Sequence, residues 1–216
     1  MKFSFAIAVC MFFAGCASSQ NNNEVKIPAG IKQKTTANES VAYFAEGCFW
    51  HTEIVFQSLE GVRDAISGYA GGTDTDPDYE KVGSGETGHA EAVQVFYDPA
   101  KISFETLVKA FFASHDPTQL NRQGNDVGTQ YRSIAFYSNA NEKQIIDTEL
   151  KKITDSKKYS NKLVTEAKSF SKFYPAEDYH QEYVIQHPNQ SYVAHVSIPD
   201  YLQFRKEFKE GKFKTL

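Results

Sequence analysis

The chain has 216 residues, a formal net charge of −4, and 41% hydrophobic and 14% aromatic residues. This apolar content is enough for a well-buried core and excludes a disordered chain. Lysines and acids are mixed without a basic run, which excludes the charge pattern of a nucleic-acid-binding protein and that of a polybasic membrane patch.

The N-terminus is typical of an exported protein. An apolar run follows Lys2 and ends at small residues around Cys16. The run is too short to span a bilayer, so we interpret residues 1–15 as a signal peptide. The tetrapeptide FAGC resembles the lipobox of bacterial lipoproteins, although Phe13 stands where leucine is usual. We therefore expect lipid on Cys16, and two or more acyl chains there would give stable membrane anchoring.

The expected location is the cell envelope. Ala17 and Ser18 do not resemble the inner-membrane retention signal, which favours the periplasmic face of the outer membrane in a Gram-negative host. Residues 16–38 are polar and aromatic-free, as in a flexible tether, and a folded domain is expected over residues 39–216.

The number of cysteines limits the roles that Cys48 can have. Cys10 lies in the segment to be removed and Cys16 would carry lipid, so Cys48 is left as a single free thiol. An internal disulfide and a structural zinc site of several cysteines are both excluded by this count.

The pattern of the domain predicts alternating strands and helices. VAYFAEG predicts a strand, and a helix closed by Gly61 follows, with Cys48 at the junction. VRDAISGYA, HAEAVQVFYD, YRSIAFYS and KLVTEAKSF predict further strands.

Three later helices are also predicted. One is capped by Ser103 and runs to about Ser114, one runs from Asn139 to about residue 155 with Glu142 as its capping partner, and IPDYLQFRKEFKEGKF adds the last. The β-α-β-β-α order, with long loops, predicts an α+β two-layer domain.

Cys48 is a candidate nucleophile. At a helix N-terminus, backbone N–H groups and the helix dipole stabilise a thiolate. Gly47 permits close backbone approach, and Phe49 and Trp50 place apolar area beside the sulfur. The alternative is a small buried hydrophobic residue.

Two segments contain a histidine and a glutamate two residues apart, and such a pair can indicate a metal site. His89 and Glu91 share a strand face and could bind a metal, whereas His51 and Glu53 point to different sides of a helix and are expected at the surface or helix end. Alternation groups Glu91 with two valines; if that face is inward, the carboxyl stays protonated and can act as a general acid. The alternatives are a solvated edge-strand glutamate and a satisfied His89.

Tyr79, Asp126 and Tyr131 lie in turn-rich segments whose loops can present polar groups to a site, although packing is the alternative for any one tyrosine. Together with GCFW, SGYAGG, YEKVGSGETGHAEAV, RQGNDVGTQYRS and YPAEDYHQEY, these segments are very similar to peptide methionine sulfoxide reductase of the A type. The resemblance covers most of residues 41–183.

The resemblance implies a fold and a set of roles. The family fold is an α+β plait of ferredoxin-like type. Cys48 matches the nucleophile that attacks the sulfoxide sulfur, and Glu91 matches the acid that protonates the oxygen. The remaining matches are the hydroxyls of Tyr79 and Tyr131 that hold that oxygen, Asp126 as an organising carboxylate, and Phe49 and Trp50 as the apolar wall for the methyl group.

The implied activity is reduction of the S epimer of methionine sulfoxide in proteins, without metal or organic cofactor. Two departures stand out: His51 replaces the usual glycine, and the C-terminal segment lacks resolving cysteines. The sulfenic acid left on Cys48 is therefore expected to be reduced by an external thiol, either small or on a thioredoxin-like or glutaredoxin-like protein. The alternative is a lipoprotein that has lost catalysis and only binds peptides containing methionine or methionine sulfoxide. A Cys48→Ser variant distinguishes the two, because binding alone should survive the substitution.

Overall fold

The computed structural model describes residues 35–214. The predicted signal peptide, the Cys16 lipid site and all of the tether before residue 35 lie outside the described residues.

The described chain contains eight strands and six α-helices. The strands are β1 Ser40–Glu46, β2 Val62–Ala70, β3 Ala90–Tyr97, β4 Arg122–Gln123, β5 Asp126–Val127, β6 Ser133–Tyr137, β7 Glu166–Ser169 and β8 Phe173–Pro175. The helices are α1 Phe49–Gln57, α2 Tyr79–Gly83, α3 Phe104–Ser114, α4 Ala140–Ser156, α5 Tyr183–Gln186 and α6 Ile198–Glu207.

The main sheet has the order β7-β6-β1-β3-β2-β8. Its four inner strands are antiparallel to one another, with β1 paired to β3 and β6, and β2 paired to β3. Helix α1 joins β1 to β2, and α3 lies in the connection from β3 to β6. This is the connectivity of a ferredoxin-like plait, so the predicted α+β class is confirmed. Strand β7 adds in parallel to β6, and β8 adds antiparallel to β2.

The two faces of the sheet carry different side chains. On the helix-bearing face Phe44 is fully buried and stacks on Phe56 of α1 and Phe111 of α3, with ring centroids 4.8 and 5.3 Å apart. Truncating such a buried aromatic ring costs about 3–5 kcal/mol of folding free energy. The opposite face carries a smaller cluster in which alanines such as Ala90 and Ala92 lie with Ile134 and Phe136. The main core therefore lies between the sheet and the helices.

Helix ends follow the predicted caps with one exception. Ser103 Oγ accepts the N–H of Thr106 (3.1 Å), and Asn139 Oδ1 accepts the N–H of Glu142 (3.0 Å). Helix α1, however, ends at Gln57 and not at Gly61, so that boundary was wrong. The helix tightens before Gly61, because the N–H of Leu59 bonds to the carbonyl three residues back.

None of the helices between residues 35 and 214 is long and apolar enough to cross a membrane.

Candidate active site

Cys48 lies where the first strand meets the first helix. It is the N-cap residue of α1, is partly buried, and has extended backbone angles. Gly47 before it has φ +115°, and a Cβ atom there would stand 2.7 Å from Cβ of Gln123. Glycine is therefore required at this position, in agreement with the predicted close approach of the backbone. Its lack of a side chain lets the β4–β5 hairpin pack beside Cys48.

Glu91 faces the same helix from the centre of the sheet. Strand β3 has a partner on each side, and Glu91, Val93 and Val95 are all buried. Glu91 is 3% exposed, and its Oε2 accepts the N–H of Phe49 at 3.0 Å. Glu91 is therefore a buried side chain directed at the first turn of α1 and not a solvated edge-strand residue.

A cavity of about 220 Å³ opens between these elements. It is lined by Cys48, Phe49, Trp50, Tyr79, Glu91, Asp126, Tyr131 and Tyr192. The seven side chains assigned from the sequence to catalysis or substrate binding are all in this set. The structure thus brings together residues from five separate segments of the sequence.

Tyr192 is the member that the sequence analysis missed. Its hydroxyl donates to Oδ2 of Asp126 at 2.5 Å. Tyr192 precedes a π-helical turn at residues 193–197 that leads into α6, far from the motif segments in sequence. Its only sequence signal was a tyrosine in SYVAHVS, so the tertiary fold was needed to place it.

The apolar wall is held from behind by a second missed group. Trp50 stacks on Tyr183 with ring centroids 3.8 Å apart and an interplanar angle of 8°, and its indole Nε1–H donates to Nδ1 of His180 at 3.1 Å. His180 also contacts Phe49, with centroids 5.0 Å apart. Both supporting residues lie in YPAEDYHQEY, a motif that carried the resemblance without an assigned role. The indole is therefore fixed on one face and at its nitrogen.

Burial dominates the electrostatics of the cavity. It raises the pKa of Glu91 to about 8, and the nearby Asp126 carboxylate acts in the same direction, while the N–H of Phe49 opposes it. Burial also raises the pKa of Tyr79, to about 12, and it raises the pKa of Tyr131 above its ordinary value. All three groups are therefore protonated at neutral pH and can donate hydrogen bonds to an oxygen in the cavity.

The thiol departs from expectation. Burial raises the pKa of Cys48 well above its usual range, and the Glu91 carboxylate adds to this. The N–H groups of Trp50 and His51 act in the opposite direction, as expected at a helix N-terminus, but they do not prevail. The expectation of a stabilised thiolate in the free protein was wrong, because desolvation outweighs the helix end.

In the second pair, Glu53 was also misplaced, whereas His51 lies in the first turn of α1 as expected. Glu53 is 2% exposed and not on the surface, and His51 is partly buried with its Nε2 3.2 Å from the carbonyl oxygen of Ser114. In the first pair, Nδ1 of His89 accepts the N–H of Gly72 at 3.1 Å, and its Nε2 lies 2.9 Å from a backbone carbonyl. His89 is therefore a satisfied buried histidine. Among residues 35–214, no group of three or more His, Cys, Asp or Glu could hold a metal ion.

Fold and site together define an α+β plait protein with one thiol facing a protonated carboxyl across a small aromatic cavity. The family model for peptide methionine sulfoxide reductase matches residues 40–212. A peptide methionine sulfoxide reductase MsrA from Polynucleobacter asymbioticus is 47% identical over 179 residues, which are 83% of this chain and 94% of that protein.

Solved structures agree with the sequence comparisons. The crystal structure of Mxr1 from Saccharomyces cerevisiae in reduced form matches with 34% identity and a TM-score of 0.68, over 73% of this chain and 91% of that chain. Mxr1 in complex with Trx2 matches with 26% identity and a TM-score of 0.51, over 71% of this chain and 91% of that chain. The chain therefore belongs to the peptide methionine sulfoxide reductase family and is an oxidoreductase.

Proposed function

We propose that this chain reduces the S epimer of methionine sulfoxide in proteins, with Cys48 as nucleophile and Glu91 as general acid. The observation that carries the proposal is the cavity itself, where the thiol, the buried carboxyl and two tyrosine hydroxyls face an apolar wall. A sulfoxide carries an oxygen, a methyl group and a longer chain on sulfur. The cavity offers donors for the oxygen, an aromatic wall for the methyl group, and an open side for the peptide.

The chemistry requires a proton on the oxygen. Sulfoxide oxygen leaves poorly until it is protonated, so an acid that stays neutral near pH 7 has to face the nucleophile. As the Cys48 sulfur attacks the sulfoxide sulfur, Glu91 protonates the oxygen. The attack forms an S–S bond between Cys48 and the substrate sulfur. The S–O bond then breaks as the hydroxyl group passes to the Cys48 sulfur, and the S–S bond breaks with its electron pair going to the methionine sulfur. Cys48 is oxidised by two electrons to sulfenic acid, and the sulfoxide is reduced by two electrons to methionine.

The raised pKa of Cys48 fits this order of events. The S–O bond is polarised, with positive charge on sulfur and negative charge on oxygen. A bound sulfoxide would place the positive end beside Cys48 and the negative end beside Glu91 and the tyrosines. Substrate binding would therefore favour the thiolate and the protonated acid at once. The thiol is therefore expected to react slowly until substrate enters.

Recycling depends on an external thiol, because Cys48 is the only cysteine after residue 16. A first thiol attacks the sulfenic acid and forms a mixed disulfide with loss of water, and a second thiol releases Cys48 as the second disulfide forms. The complex of Mxr1 with Trx2 supports a thioredoxin-like protein as the reductant. A stable sulfenic acid that forms no adduct with added thiol would count against this route.

We place the enzyme at the cell envelope, attached through lipid on Cys16, on the basis of residues 1–18. Metabolic labelling with a palmitate analogue tests this. Label in the wild-type chain and its loss in a Cys16→Ala variant is the expected result. Equal label in both, or none in either, would contradict the anchor.

The first test of the activity is multiple-turnover reduction of the separate S and R epimers of a blocked methionine sulfoxide, with dithiothreitol as reductant and residues 35–216 as enzyme. We expect turnover of the S epimer alone. Cys48→Ser is the matched variant, and it should bind substrate without turnover. Folded protein that turns over neither epimer would overturn the proposal and favour a binding role.

A further inference from the structure

Glu53 is a buried carboxyl that the proposed reaction does not use. It lies on α1, whose N-cap is Cys48, and it is 2% exposed. Its Oε1 accepts the side-chain N–H of Gln57 (3.1 Å) and the backbone N–H of Glu182 (2.7 Å), and its Oε2 lies 2.5 Å from the hydroxyl of Ser67. These partners come from α1, from the end of a distant loop and from β2. One carboxyl therefore ties three parts of the chain together.

The loop joined in this way is strained at the point of contact. Glu182 has φ +52°, which is uncommon for a residue other than glycine, and it is the N-cap of α5. Gln181 beside it is fixed to β2, since its Oε1 accepts the N–H of Ser67 at 2.9 Å and its Nε2 donates to the carbonyl of Ser67 at 3.0 Å. The N–H of Glu182 is thus aimed at Glu53 by a backbone conformation that surrounding contacts must maintain.

The same loop carries the two residues that support the substrate wall. His180 accepts the indole N–H of Trp50, and Tyr183 stacks on the indole ring. They flank Glu182, with His180 two residues before it and Tyr183 directly after it. A shift of the loop at Glu182 would therefore move both supports of Trp50 together.

We propose that Glu53 is a positioning residue that holds the loop around Glu182 against α1, so that His180 and Tyr183 keep Trp50 in place as the wall for the substrate methyl group. The substrate in this statement rests on the proposed function. Glu53 touches neither the cavity nor the reacting atoms, and it acts through its hydrogen-bond acceptors.

The role requires acceptors and not a charge. Oε1 already receives two N–H donors, so it remains an acceptor whether or not Oε2 carries a proton. Burial raises the pKa of Glu53 to about 8, which makes the neutral form the main one at pH 7. Glutamine reproduces this arrangement, with its carbonyl in place of Oε1 and its amide donating to Ser67. Leucine of similar size removes every acceptor and leaves the N–H of Glu182 unpaired.

The experiment compares Glu53→Gln and Glu53→Leu in the full chain, with Glu60→Leu at an exposed position as the control. Trp50 is the only tryptophan, so its fluorescence reports on the wall independently of catalysis. We expect Glu53→Leu to shift the Trp50 emission and raise KM by about tenfold, with kcat changed by less than about threefold. Glu53→Gln and Glu60→Leu should resemble the wild type in all three.

Two results would overturn the proposal: Glu53→Gln as impaired as Glu53→Leu, or Glu53→Leu with unchanged KM and emission. If Glu53→Leu does not fold, hydrogen exchange at the Glu182 amide of the wild type decides. Slow exchange supports the contact with Glu53, and exchange at the rate of an exposed loop amide contradicts it. Absence of turnover in the wild type would refute the proposed function, while the fluorescence and exchange results would still judge Glu53.

Discussion

Replacement of Glu91 by glutamine separates the acid from the nucleophile. The pKa of Glu91 is about 8 where 4.5 is ordinary. At pH 7 a carboxyl with a pKa of 8 is about 90% protonated, and one with a pKa of 4.5 is about 0.3% protonated, a ratio of roughly 300. Burial on β3 therefore supplies almost all of the acid form at neutral pH. Glutamine cannot donate a proton to a leaving oxygen, so we expect turnover to fall about 10²–10⁴-fold.

Although Glu91→Gln should slow turnover, it should make the Cys48 thiol easier to ionise. The Glu91 carboxylate is one cause of the raised pKa of Cys48, so its removal lowers that pKa. The rate of alkylation by iodoacetamide, measured against pH, should show a lower thiol pKa in Glu91→Gln than in the wild type. A more ionised thiol combined with slower turnover is expected only if Glu91 supplies a proton.

The pH dependence of kcat/KM tests the protonation states of Glu91 and Cys48. The reaction needs a proton on Glu91 and none on Cys48, and this pair holds one proton most often between the pKa of Glu91, about 8, and the higher pKa of Cys48. In the wild type, kcat/KM should rise as the pH approaches about 8 and fall once the last proton is lost. The falling limb should be absent in Glu91→Gln. Glu86→Gln, at an exposed position, is the control, and wild-type turnover in Glu91→Gln would refute the acid role.

Three further outcomes are expected. Tyr192→Phe removes the hydroxyl that bonds to Asp126 and should lower kcat/KM about 5- to 100-fold in the dithiothreitol assay while leaving the thermal unfolding midpoint nearly unchanged; an unchanged kcat/KM would show that this bond does not organise the site. His51→Gly loses the contact to Ser114 and places glycine in α1, so the free energy of unfolding in urea should fall by about 1–3 kcal/mol, and a more stable variant would contradict this reasoning. Residues 35–216 contain no methionine, so dilute hydrogen peroxide should add oxygen to sulfur only at Cys48, which peptide mass mapping would show. After brief exposure, dithiothreitol should restore activity.

The sequence was sufficient for the central fold because alternation and capping act locally. Alternation grouped Glu91 with Val93 and Val95 on one face of β3, and Asn139 with Glu142 marked the start of α4, and both are confirmed; alternation alone left open whether this face is the buried one. Strand β8 was missed because only three residues pair at the sheet edge. Short edge pairing leaves little periodicity to detect.

The site residues were predicted from motifs, and the errors in that prediction arose where long-range packing determines burial. No local pattern shows that α1 is covered on the side of Glu53, because the covering residues lie 129 positions further along the chain. For the same reason the thiol pKa was misjudged: the helix N-terminus is visible in the sequence, whereas the burial that opposes it is supplied by distant loops.

The burial that opposes the thiolate is also the source of the acid. Cys48 and Glu91 share one desolvated cavity, and desolvation disfavours the charged form of each. A site open enough to ionise the thiol would ionise the carboxyl as well and lose the proton that the oxygen requires. A site dry enough to keep the acid neutral has to accept a resting thiol, and it depends on the polarised S–O bond of the substrate to create the reactive pair. Low thiol reactivity in the absence of substrate and high acid availability are thus two consequences of the same packing.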